Sequence, residues 1–421
     1  MQLALSPLII WPVAGLSTAG ILVRPFRLAE AWWAMAGALL LVLLGQLSAA
    51  EAGQAAWQGR DVYLFLIGMM LISELARTTG LFDWVAARAV RQARGSATRL
   101  FCIVYAVGIV VTAFMSNDAT AVVLTPAVLA AARAARLERP LPHLFACALI
   151  ANAASFVLPV SNPANLVVFA GRMPSLGAWL QLFLLPSLVA IVATFVALYW
   201  LQRAHLRQTM SAEVRIPPLE AEAKIVAFGI ALMAALLLAA SALDIDLGWP
   251  ACLAGLATFA AVLVRTRPLA MRAARDMSWS VLPLVAGLFV LVAALSKIGV
   301  AHDMARMLAS LHASAPEWSV WAAGGLTALA ANVANNLPAG LMAGATMTAS
   351  HAPTEVVAAT LIGINLGPNL SVTGSLATVL WLTALRREGI DVSFGQFLKV
   401  GLIVMPVALI PCLYLLARGA A

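Results

Sequence analysis

The sequence predicts an all-α polytopic membrane protein built from two related halves. Three observations carry that prediction. Of 421 residues, 63% are hydrophobic and only 10% charged, and the mean hydropathy is +0.95; a soluble domain carries about a quarter of its residues as charge. Apolar segments recur along the whole chain, most of them about the ~20 residues that a membrane span needs. Polar interruptions fall at matching places in the two halves. This balance excludes a soluble enzyme, a disordered chain and a disulfide scaffold.

Each element can be justified in order. The N-terminal MQLALSPLIIWPVAGLSTAGILV has no basic leader, so it reads as a retained first span rather than a cleaved signal peptide. Apolar segments lie at about 2–23, 30–49, 61–81, 98–134, 142–172, 178–202, 223–243, 249–264, 279–298, 317–350, 354–385 and 395–417. Four of them, 98–134, 142–172, 317–350 and 354–385, are too long for one straight helix. They are broken by MSND (115–118), VSNPAN (160–165), NNLPAG (335–340) and NLGPNLSVTGS (365–375). A helix broken in lipid frees backbone groups that must be satisfied inside the protein or by a solute. Paired breaks in two halves point to a transporter built from repeats.

Spacing supports the repeat. Asn117 and Asn336 stand 219 positions apart (336 − 117), as do Gly80 and Gly299 (299 − 80). At the second break, Asn152 matches Asn365, Asn162 matches Ser375 and Asn165 matches Thr378, each at an offset of 213 (365 − 152). If 98–134 and 317–350 are re-entrant hairpins, each half has five spans, and an odd number inverts the second half. With the N-terminus outside, 19 of the 26 Lys and Arg residues fall in inside loops, as the positive-inside rule requires. The expected architecture is therefore an inverted-repeat transporter with about ten transmembrane helices, two re-entrant hairpins and two broken helices. Residues 1–203 form the first repeat, 204–222 a cytoplasmic linker containing Pro217-Pro218, and 223–421 the second repeat. The net charge of +8 is read as cytoplasmic loop charge, not as a nucleic-acid surface.

The breaks converge near mid-membrane. They bring together Ser116, Asn117, Asp118, Thr120, Ser161, Asn162, Asn165, Asn335, Asn336, Asn369, Ser371, Thr373, Ser375 and Thr378. The set is neutral and hydrogen-bonding except for Asp118. It suits a small polar solute or a hydrated cation better than a dicarboxylate, although Ser, Thr and Asn also join membrane helices to one another. Asp118 is the one acid placed firmly at membrane depth. Such a residue is a functional candidate as a proton carrier, with a helix cap as the plainer alternative. Glu74 and Arg77, three apart, read as an interfacial ion pair. Lys297 and His302 sit near the outer end of a span, where Lys snorkels. Trp32, Trp33, Trp57, Trp249, Trp279 and Trp318 read as belt anchors. Cys102, Cys147, Cys252 and Cys412 lie far apart in apolar stretches and form neither a disulfide framework nor a metal site. The sequence has no GxxxxGK[ST] loop, no HExxH and no GxSxG. An intramembrane hydrolase and a passive channel are the readings from other classes.

At these residues the chain resembles a known family. FMSNDATAVVLTPAV (114–128), FVLPVSNPANLVVF (156–169), ANNLPAG (334–340) and IGINLGPNLSVTGSLATVLW (362–381) resemble the ArsB-type arsenite/antimonite efflux pumps of the ion transporter superfamily. The similarity runs from about Asp61 to the C-terminus. One departure is Pro163, where the family has a plain apolar residue; it stiffens the break. The resemblance implies a multi-pass protein of the bacterial inner membrane that exports arsenite and antimonite, as neutral trihydroxides, in exchange for protons. It implies Asp118 in proton coupling, where the related dicarboxylate carriers have the Thr of a Ser-Asn-Thr sodium motif. Ser116, Asn117, Ser161, Asn162, Asn165, Asn335, Asn336, Thr373, Ser375 and Thr378 are the expected substrate-binding residues. No metal or cofactor is implied. Membrane lipid surrounds the chain, and some relatives work with a soluble cytoplasmic ATPase subunit. A sodium-coupled carrier of another small solute or anion is the alternative.

Overall fold

The computed structural model describes residues 6–169, 173–211 and 215–420. The first residues of the expected opening span (1–5), the end of the segment expected at 142–172 (170–172) and part of the expected linker (212–214) lie outside the described residues. Among those described, regular structure is helical, with one isolated bridge between Ser96 and Thr209.

Helices α1 (Pro7–Val23), α2 (Glu30–Leu43), α3 (Ala49–Gln58), α4 (Arg60–Thr78), α5 (Leu81–Gln92) and α6 (Ala97–Phe114) lead to the first tip. The chain returns through α7 (Asn117–Ala119), a π turn (Thr120–Leu124) and α8 (Thr125–Ala134). A broken helix, α9 (Leu141–Ala153) and α10 (Pro163–Phe169), and the long α11 (Leu176–Gln202) complete the half. The second half repeats the order. It has α12 (Ala221–Ala242), α13 (Gly248–Arg265), α14 (Arg267–Asp276), α15 (Val281–Lys297) and α16 (Val300–Ser314). Hairpin arms α17 (Pro316–Ala334) and α18 (Asn336–Ser350) follow, then the broken helix α19 (Thr354–Leu366) and α20 (Leu376–Arg387), and last α21 (Phe394–Ala420).

Local chemistry explains the stops. Gly80 and Gly299 sit at φ 72° and 93°, a region glycine enters without steric cost. They end α4 and α15 and turn the chain into α5 and α16; the α4–α5 bend is 61°. Among the described residues, six helical runs are long and apolar enough to cross a membrane, one of them Arg267–Lys297 across α14 and α15, or seven with the bent α4–α5 pair counted as one. One of the six is α6, whose chain turns back at its tip. The remaining expected spans are shorter helices or the two broken ones, and length alone does not find them.

The halves pack reciprocally. Helix α4 lies on α13 as α2 lies on α15, α6 lies on α9 as α17 lies on α19, and α11 lies on α21. Close backbone approach needs glycine at these crossings: a Cβ on Gly68 would stand 2.1 Å from the Ala251 carbonyl oxygen, and one on Gly287 would stand 2.8 Å from that of Ala34. Both ends of the first hairpin meet the segment after α11. Met210 N donates to Gly95 O at 3.1 Å and Ser211 N to Ala135 O at 2.8 Å, while Gln208 bonds the Arg139 backbone through both amide atoms. The hairpin thus enters and leaves on one side. The second hairpin is held likewise by α16: His312 meets Ser319 at 2.9 Å at the start of α17, and Met304 meets Thr346 late in α18.

The surface follows the expected pattern with two refinements. Trp32, Trp57, Trp249, Trp279 and Trp318 are exposed, but Trp33 packs over Gly20 between α1 and α2. Lys297 reaches the surface, where its Nζ donates to Glu51 Oε1 of α3 at 2.7 Å. Cys147, Cys252 and Cys412 are buried and Cys102 is exposed.

Candidate functional site

The two hairpin tips are built alike. Ser116 (φ 139°, ψ 164°) and Asn335 (φ 72°, ψ 152°) occupy a backbone region that is nearly confined to glycine and costs about 1–3 kcal/mol for other residues. They are 219 positions apart, the offset of the repeat. Each caps the returning helix: Ser116 Oγ accepts from Ala119 N at 3.4 Å, and Asn335 Oδ1 accepts from Leu337 N at 3.4 Å. Next to each cap sits a buried asparagine, Asn117 or Asn336, whose side-chain oxygen has no hydrogen-bond donor among the described residues. Buried polar atoms are almost always paired, so two such orphans at equivalent tips are exceptions that set the tips apart from the paired brace.

The capping alternative for Asp118 does not hold, because Ser116 takes that role. The Asp118 carboxylate makes no hydrogen bond or ion pair among the described residues. It faces a cavity of ≈ 60 Å³ together with Ser116, Pro163, Met277, Ser278 and Leu376. That cavity adjoins a vestibule of ≈ 740 Å³, the two sharing Glu74, Val122, Val123, Ser278 and Leu380 as walls. Charged residues rim the vestibule: Arg77, Asp83, Asp276, Arg387 and Glu388. A second small cavity of ≈ 20 Å³ reaches Asn335 of the second tip and Thr373 of the second break, and Arg24 and Glu30, an ion pair, also line it. Leu376 lines both tip cavities, so its side chain stands between them.

The two broken helices do something different: they bond each other. Asn162 Nδ2 donates to Asn365 Oδ1 at 2.8 Å, and Ser375 Oγ donates to Asn152 Oδ1 at 3.3 Å. These four residues are the pairs matched by sequence spacing, and the structure exchanges them crosswise. Asn365 Nδ2 donates to Asn165 Oδ1 at 3.0 Å, Asn152 Nδ2 to Asn369 Oδ1 at 3.0 Å, and Ser155 Oγ to Asn365 Oδ1. Asn165 also closes the first break by donating to Ser155 O, and Thr378 closes the second by donating to Val372 O at 2.9 Å. Each break in turn holds its own tip. Ser161 Oγ donates to Ala113 O at 3.0 Å, and Gly374 O accepts from Asn336 N at 3.0 Å. Such fully connected buried networks fix one arrangement, since a half-satisfied one is costly.

The residues expected from sequence therefore fall into two groups. Ser116, Asn117, Asp118, Asn335 and Asn336 sit at the tips, and Thr373, in the second break, lines the cavity of the second tip. Ser161, Asn162, Asn165, Ser375 and Thr378 are buried in the brace with their side chains paired. Thr120 bonds Thr112 at 2.8 Å behind the first tip. Three members were missed as site residues: Ser155, Asn332 and Glu74. Asn332, three residues before Asn335 on an apolar arm, bonds Gly367 O at 2.8 Å, Ser371 at 2.7 Å and Thr373 at 3.1 Å. Its position, one helical turn from the tip, was the available signal. Glu74 pairs with Arg77 as expected, but it lies at the neck of the cavities instead of on an outer surface.

The chain is similar to known membrane proteins. The family model described as "Citrate transporter" (CitMHS) matches residues 18–363. The arsenical pump membrane protein of Escherichia coli K12 is 28% identical over 403 residues, covering 91% of this chain and 92% of that protein. The arsenical pump membrane protein of Yersinia enterocolitica is 27% identical over 353 residues, covering 81% and 82%. In three dimensions the chain is similar to the YdaH transporter of Alcanivorax borkumensis, whose crystal structure is described as having an unusual topology. The TM-score is 0.57 with 16% identity, over 98% of this chain and 97% of that one. The structural likeness covers nearly the whole helical fold, and the family match spans most of the sequence: the chain belongs to the CitMHS citrate transporter family of membrane transporters, within the ion transporter superfamily.

Proposed function

We propose that the chain exports arsenite and antimonite, as neutral trihydroxides, across the bacterial inner membrane in exchange for protons. Asp118 is the observation that carries this reading. It is a carboxylate at a hairpin tip with no partner among the described residues, open to a cavity that continues into a wide vestibule. A group so placed can bind and release a proton as the tip changes exposure. The names of the arsenical-pump relatives support the substrate. So does the tip chemistry: Ser116, Asn117, Asn335, Asn336 and Thr373 offer neutral donors and acceptors to a small trihydroxide. Ser161, Asn162, Asn165, Ser375 and Thr378 hold that geometry from behind. Residues 1–203 and 223–421 act as inverted repeats joined by 204–222. The test is arsenite flux in proteoliposomes with an imposed pH gradient and sodium absent. Flux that follows the gradient supports the antiporter; no arsenite flux under any gradient removes the substrate.

A second reading is sodium-coupled transport of another small solute or anion. The unpaired oxygens of Asn117 and Asn336 favour it, because amide oxygens suit hard cations. Flux that requires sodium would select this reading.

A further inference from the structure

We propose that Glu74 is the inner proton-transfer residue, taking the proton from Asp118 and passing it to the cytoplasmic vestibule; this rests on the proton-coupled reading above. The argument is one of position. Glu74 lies on α4, and its side chain is only 12% exposed. It lines the small Asp118 cavity and the large vestibule alike, so it stands at their junction. The Asp118 cavity, at ≈ 60 Å³, exceeds the ~10–15 Å³ that one water requires, so a short water chain can join the two carboxylates.

The surroundings suit a group that accepts a proton briefly. Both hydrogen bonds from Arg77 go to Glu74 Oε1, through Nε at 2.6 Å and through Nη2, which leaves Oε2 for the proton. Arg77 Nη2 also donates to Asp276 Oδ2 of α14 at 2.9 Å, so the guanidinium keeps a counter-ion when Glu74 is neutral. The other charged groups around the vestibule are Asp83 of α5, Arg387 at the end of α20 and Glu388 just beyond it; Glu388 is itself paired with Arg133 of α8 at 2.6 Å. The step balances as a proton shift. The Asp118 carboxyl loses its proton to the Glu74 carboxylate, and Glu74 returns it to vestibule water, so both acids end ionised.

The experiment uses the full chain in proteoliposomes. Arsenite flux driven by a pH gradient is measured beside arsenite counterflow at equal pH on both sides, which needs no net proton release. Glu74→Gln should lower pH-driven flux at least tenfold while lowering counterflow far less, and Glu74→Asp should restore most of the pH-driven flux. Wild-type pH-driven flux in Glu74→Gln would overturn the assignment. So would equal losses in both assays with no rescue by Glu74→Asp, which would mean a structural role. If the wild-type protein itself ignores the pH gradient, the proton-coupled reading fails first, and the two failures are thereby distinguished.

Discussion

Asn117 and Asn365 carry the same side chain, and alanine at each should act on a different property. The Asn117 oxygen is buried without a donor, so Asn117→Ala leaves stability within about 1 kcal/mol and weakens the apparent affinity for arsenite roughly tenfold, the value of one hydrogen bond. Asn365 bonds Ser155, Asn162, Asn165 and Leu361 O. Removing it strands several buried groups, at about 1–3 kcal/mol each, so Asn365→Ala should lose about 3 kcal/mol or more, measured by denaturation in detergent. Asp118→Asn should abolish pH-driven export while leaving the unfolding temperature near wild type; full pH-driven export in that variant would remove Asp118 from the coupling. The sequence made these residues legible as a class because polar runs are conspicuous in apolar segments. It could not separate tip from brace. That distinction depends on which amide meets which across about 200 positions, and no local pattern encodes it.

At the scale of helices, the small residues at crossings matter most. Gly68 of α4 and Gly255 of α13 let two backbones touch, and the repeat mate of Gly68, Gly287, does the same against α2. Gly68→Leu has only backbone to displace, so it should cost at least the ~1–3 kcal/mol of an overpacked core, and Gly287→Leu should cost as much. Denaturation of the two variants checks this, and an unchanged midpoint would mean the crossing can yield. A second prediction concerns α3 and α15. Lys297 and Ser48 hydrogen-bond Glu51 and hold its carboxyl at about 2, below the ordinary glutamate value. A depressed carboxylate stabilises the fold above its unfolded pKa, ~4.3. That contribution fades as the pH falls from about 4 towards about 2. Lys297→Met should flatten the acid limb of the stability profile by a small amount, as befits an exposed pair. Helix breaks and caps were legible here through Gly80, Gly299 and the polar runs. The pairing of Lys297 with Glu51 was not, because it joins residues 246 positions apart.

Across the whole molecule, the linker contacts put both ends of the first hairpin on one side, the side that the charge count expects to be cytoplasmic. Cysteines introduced by Glu138→Cys and Arg88→Cys, with Cys102 replaced, should react with an impermeant maleimide only from the cytoplasmic side. Those from Gln54→Cys and His302→Cys should react only from outside. Labelling of Glu138→Cys from outside would turn the first hairpin into a pair of full spans. The order of the repeat was readable from sequence because its spacing acts over long distances. The crosswise exchange between the broken helices has a consequence in time. The Asn152 amide bonds Asn369 and Ser375, and Asn162 Nδ2 bonds Asn365, all about 200 residues later in the chain. At ~5–20 residues per second, the ribosome leaves the first half waiting some 10–40 s with those amides unmatched. During that interval the newborn half must be sheltered by the insertion machinery or by water held in the unfinished site, and its maturation is paced by translation of the second.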